Sequence, residues 1–142
     1  MAIHIDNRWG KTSVSLRKLR QDLIEILHIL ELGDRELSLL LVGDEEIREL
    51  NRRYLDRDRP TNVLSFPMME GVVLGDVVVS IDTAARDARD AGIPLADELL
   101  FLMIHGILHL AGYDHESPES DEEAMKKKEK ELFRHLRGYE IE

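Results

Sequence analysis

The chain has no cysteine among its 142 residues, which excludes disulfides, thiolate metal sites and cysteine nucleophiles together. A transition metal would have to be held by imidazole or carboxylate. Aromatic side chains are scarce, with three Phe, three Tyr and one Trp, so a surface that reads many bases by stacking is not expected. Long apolar runs are also missing: Leu39 to Val42 and Leu99 to Ile104 are the longest, far short of the roughly 18 residues a membrane-spanning helix needs. The start, MAIHIDNRWG, has neither the basic opening nor the apolar stretch of a secretory signal. With no cysteine and no leader, a cytoplasmic protein without membrane contact is the expectation.

Positive charge is in deficit as well, with a net charge of -10. That balance argues against DNA binding through broad phosphate neutralisation. Distribution qualifies the total, because Arg52, Arg53, Arg57 and Arg59 fall within eight residues and Arg48 lies one helical turn before them. They form either a basic patch on an acidic body or a solvated helix end.

The chain's length and its 43% hydrophobic content suit one domain over 1–142 with a real core. AIHIDN alternates as an amphipathic strand does, and ELSLLLVG is a second strand. Between them Leu16, Leu19, Leu23, Ile26, Leu27 and Leu30 recur at helical spacing, with Ser13 or Ser15 as cap and Gly33 as stop. Asp44 is the expected N-cap of DEEIRELNRRYL, and a loop, DRDRPTN, leads to the strands VLSF and LGDVVVSI. Asp82 is expected to cap a short Ala-rich helix that stops at Gly92 and Pro94. From Leu95 the segment LADELLFLMIHGILHLAG is apolar on most of its circumference and predicts a central buried helix ending at Gly112. Ser117 and Pro118 start a last helix that runs to about Arg137, with Gly138 as its stop. The expected class is α+β in a single domain.

HGILHLAGYDH, residues 105 to 115, holds three of the six histidines. On a helix, His105 and His109 share one face at i and i+4, and the break at Gly112 permits His115 to return to a third position. Three neutral imidazoles around a tetrahedral ion leave one coordination position open, the arrangement of a hydrolytic metal site. Zinc is the first choice, and nickel, copper or iron also accept three imidazoles. The spacing equals that of the metzincin proteases, which place a glutamate base directly after the first histidine. Here that residue is Gly106. A base would have to come from Asp114, Asp76 or Glu98. Tyr113 and Asp114 lie between two ligands, where Asp114 is either an acid that orients imidazole or a turn residue.

Three segments taken in order, LNRRYLDRDRPTNVLSFP (50 to 67), LGDVVVSID (74 to 82) and HGILHLAGYDH, resemble the YbeY family of bacterial metal-dependent endoribonucleases. The resemblance implies one zinc ion on His105, His109 and His115 in an α+β fold similar to metzincin-like hydrolases, with a mixed four-stranded sheet. It also implies single-strand RNA cleavage in maturation of the 16S rRNA 3′ end and ribosome quality control, with ribosomal RNA and small-subunit assembly proteins as partners. The family usually has Arg directly after the tyrosine of the first of these segments, and this chain has Leu55 there. Arg52, Arg53, Arg57 and Arg59 are the candidates to act in its place, none matching position by position, with Arg57 taken first and Asp114 as a second catalytic candidate. Two other readings remain open: a zinc hydrolase of peptides or small molecules, and a metal-stabilised ribosome-assembly factor without catalysis.

Overall fold

A computed structural model describes residues 2–11, 14–113 and 118–141. Its elements are β1 (Ala2–Asn7), α1 (Leu16–Ile29), β2 (Glu36–Val42), α2 (Asp44–Leu55), β3 (Val63–Glu70), β4 (Val73–Ser80), α3 (Ile81–Ala91), α4 (Leu95–Leu110) and α5 (Pro118–Arg137). The four strands form one mixed sheet in the order β1-β2-β4-β3, as the α+β reading expects. β1, β2 and β4 run parallel, and β3 joins the edge as the antiparallel arm of a hairpin with β4. Pro67, which cannot donate to a ladder, lies on this edge strand where no second neighbour needs its N–H.

Period-two alternation assigns the sheet two unequal faces. Leu37, Leu39, Leu41, Val77 and Val79 point to one side and join α1 and α4 in the main core. Leu64, Val42 and Val78 point to the other and meet Ile47 of α2 in a smaller cluster. α4 lies between the sheet, α1, α3 and α5, which is why Leu99, Leu100, Met103, Ile104, Ile107 and Leu108 are all buried around its circumference. Gly75 shows how tightly the hairpin closes: its φ is +147°, and a Cβ there would stand 2.4 Å from the Phe66 carbonyl oxygen.

Ser15 caps α1 by accepting from the Lys18 N–H, as expected. Gly33 does not stop this helix. The turn is made by Glu31 at φ 60°, with its N–H bonded to the His28 carbonyl and the Leu32 N–H to that of Leu27. The two aspartate caps are exchanged relative to expectation. Gly43, not Asp44, is the N-cap of α2, and Ser80, not Asp82, caps α3 by accepting from the Thr83 N–H. Asp82 instead accepts from the backbone N–H of Asp44 and from Trp9 Nε1, both at 3.0 Å. Asp44 in turn accepts from Ser80, Thr83 and Arg86. Each acid thus serves the other's helix start. Partial burial pushes the Asp44 carboxyl up, and these three hydrogen bonds outweigh that and hold it below the ordinary carboxylate range. Gly92 and Gly138 both take left-handed φ at the helix ends where they were expected, and Ser117 lies outside the described residues.

Candidate metal centre and cleft

α4 carries His105 and His109 on one face, and the two rings converge. Their Nε2 atoms are 3.0 Å apart, with ring centroids at 4.5 Å and planes at 67°. Two nitrogens on a tetrahedral zinc at about 2.05 Å would be about 3.3 Å apart, so a small ring rotation suffices to admit the ion. On its other side, His105 Nδ1 lies 3.3 Å from Glu129 Oε2 of α5. Sequence reasoning missed Glu129, because within KKKEKE nothing distinguishes an inward carboxylate from its solvated neighbours.

The helix ends immediately beyond the pair, as the glycine predicts. Gly112, at φ 93°, donates to the His109 carbonyl and Tyr113 donates to that of Leu108, closing the C-terminus and turning the chain. Tyr113 packs against the core. His115 and Asp114 lie outside the described residues. Among the described residues no three His, Asp or Glu side chains are grouped to hold an ion, and of the three expected ligands His105 and His109 are the two described.

Gly106 is explained by packing. A Cβ at this position would stand 2.7 Å from Val77 Cγ1 and 3.3 Å from Ser65 Oγ, and Ser65 donates to the Gly106 carbonyl. The position faces β4 at close approach, so no side chain fits there, whether basic or not. Of the substitute bases, Asp76 and Glu98 are not brought in either. Asp76 points to the opposite side of the sheet, where it lines a cavity of about 400 Å³ with Asp6, Ser38 and Phe66. Glu98 stands two turns before His105, about 10 Å along the axis. There burial, and then the charge of Asp87, raise its carboxyl to about 7.

Beside the imidazoles lies an open cleft of about 280 Å³, lined among others by Asn51, Leu55, Arg57, Arg59 and Ser65. The arginine run divides here. Arg48 pairs with Asp58 at 2.8 Å, and Arg52 and Arg53 share Glu49, so all three are ion-paired to acids of their own segment. Arg57 and Arg59 are exposed, line the cleft and have no ion-pair partner among the described residues. Buried Asn51 holds their loop, donating to the Arg59 carbonyl at 3.0 Å while its own carbonyl accepts from the Arg57 N–H. Leu55 projects into the same cleft, half exposed.

Comparison with known proteins agrees with this arrangement. The family profile described as "Endoribonuclease YbeY" matches residues 4–137. A protein named Endoribonuclease YbeY from Syntrophus aciditrophicus is 49% identical, covering 100% of this chain and 94% of that one. Its namesake from Syntrophotalea carbinolica is 50% identical over 95% of each. A solution structure of a protein from Thermotoga maritima superposes with a TM-score of 0.72 at 40% identity, over 96% of this chain and 89% of that one. The order of elements, the paired histidines on α4 and these relatives lead to one conclusion: the chain belongs to the endoribonuclease YbeY family.

Proposed function

We propose that this protein is a single-strand-specific endoribonuclease that acts in maturation of the 16S rRNA 3′ end and in ribosome quality control. It would work in the cytoplasm, with ribosomal RNA and small-subunit assembly proteins as partners, from one hydrolase domain over residues 1–142. The observation that carries this reading is the convergence of two imidazole Nε2 atoms at the wall of a cleft that also presents two arginines without an acidic partner among the described residues.

His105, His109 and His115 would hold one Zn2+, His115 being assigned by its spacing after Gly112 and by the metzincin-like pattern. The donor set is all imidazole, which suits zinc. When bound, the ion supplies a Lewis acid beside the scissile phosphate. Arg57, with Arg59 next to it, holds the phosphate backbone and offsets charge that develops on its oxygens. Arg57 thereby takes the role of the family arginine whose position Leu55 occupies. Leu55 gives that part of the cleft an apolar wall on which a base or ribose can rest. A flexible single strand can enter such a cleft, whereas a paired duplex would have to be opened. Asp114, directly before His115, is the carboxylate we assign to proton transfer.

The test is cleavage of single-stranded ribosomal RNA by the native protein and by His109→Ala, each assayed with and without zinc. Loss of cleavage in the variant is expected. Equal cleavage by both would assign the activity to a contaminating nuclease and leave the assembly-factor reading standing.

A further inference from the structure

Glu129 is a buried carboxylate, 5% exposed, on a helix whose inward face is otherwise Met125, Leu132 and Phe133. Burying such a group without a partner is costly, and among the described residues its one hydrogen-bond partner is His105 Nδ1. Glu129 comes from α5, 24 residues beyond His105, and that helix is clamped at its far end by Arg137, which bonds Asp22 of α1 and Asp97 of α4. The carboxylate is therefore held by a braced element and aimed at the nitrogen of His105 that faces away from His109.

We propose that Glu129 is a positioning residue that fixes the tautomer and ring orientation of His105. Its oxygen accepts the Nδ1–H, which leaves the Nε2 lone pair directed toward His109. The two Nε2 atoms lie 3.0 Å apart, so a His105 ring held in this tautomer is already in the form that binds a cation between them. The inference rests on the metal reading above for its purpose, though not for its geometry.

The experiment has two readouts. Ring-nitrogen NMR of the ¹⁵N-histidine-labelled, metal-free protein, with the His105 signals assigned by their loss in His105→Gln, reports the tautomer. The native protein should show His105 protonated at Nδ1. Glu129→Ala should show a mixture of tautomers, and Glu129→Gln, which keeps a carbonyl acceptor, should restore the native form. Leu132→Ala loosens the same helix without removing the carboxylate and should leave the tautomer unchanged. Zinc affinity by chelator competition should fall about 10- to 100-fold in Glu129→Ala, with most of the loss recovered in Glu129→Gln. A native tautomer and native zinc affinity in folded Glu129→Ala would overturn the proposal while leaving the metal site intact. A native protein that binds no zinc would instead remove the metal reading, and the tautomer would still decide whether Glu129 orients His105.

Discussion

Arg137 and Arg57 carry the same guanidinium to two ends of the molecule and are used in opposite ways. Arg137 bonds Asp22 through two nitrogens, at 3.2 and 2.8 Å, and Asp97 through Nε at 2.8 Å. Its side chain is only 14% exposed. Tyr139 completes the cluster by donating to the other Asp97 oxygen at 2.7 Å. Every polar group in this cluster is satisfied by the protein, which joins α1, α4 and α5. Arg57 stands exposed at the cleft with no acidic partner among the described residues. The contrast separates a charge used within the fold from one left exposed at the cleft. The ion-paired Arg48, Arg52 and Arg53 show that neither role can be inferred from clustering in the chain.

The largest effect is expected from breaking the clamp. Arg137→Ala leaves two buried carboxylates facing each other without a cation, and urea denaturation should show a loss of about 3 to 4 kcal/mol. Glu98, the neighbour of Asp97 on α4, is 7% exposed and has no cation partner among the described residues, and burial pushes its carboxyl up to about 7. From the ordinary value of 4.5 up to about 7, the unfolded chain releases this proton while the folded chain keeps it. Stability of the native protein relative to Glu98→Gln is thus fully retained below 4.5 and declines as pH rises through about 7. Above that window the variant should be the more stable by on the order of 2 kcal/mol, and thermal melts across pH will measure it. Coincident curves for the two proteins would mean that Glu98 is solvated.

A smaller change is expected where α4 meets β4. Gly106→Ala places a methyl group against Val77 and should cost about 1 to 2 kcal/mol by overpacking. It should also weaken zinc binding, because the histidines lie on either side of the displaced turn. The smallest effect on stability belongs to the cleft. Arg57→Ala and Arg59→Ala should each stay within about 0.5 kcal/mol of native in denaturation. The salt dependence of single-strand RNA binding should lose about 0.7 in slope for each arginine. A double variant with native RNA affinity and salt slope would show that the unpaired arginines are not a phosphate site.

Much of this was legible from residues alone. Periodicity marked α4 as buried on all sides, because a helix that is apolar around its circumference needs cover on every side. The i, i+4 spacing of His105 and His109, with Gly112 beyond them, required only local geometry. Asp44 and Asp82 were recognisable as capping residues, but each caps or braces the start of the other's helix. Those partners are 38 positions apart, and no local rule selects between them. Asp76 and Val77 are adjacent in the chain and lie on opposite sides of the sheet, so a carboxylate next to a core strand residue does not reach the face that carries the histidines. Glu129 and Asn51 left no local signal, because each acts through a partner that folding brings to it.

By itself the sequence determined the element types, the buried central helix, the pairing of two imidazoles on one face, and, through its motifs, the family. These follow from interactions within a few residues along the chain or from patterns that span it in order. The tertiary structure alone decided which charges are free and which are used. It packed Gly106 against Val77, placed Asp76 on the far face, gave Glu129 to His105 and Arg137 to two aspartates, and left Arg57 and Arg59 at the cleft. The reason is physical: the worth of a charge depends on burial and on a partner within about 3 to 4 Å, and both are set by packing between segments distant in the chain.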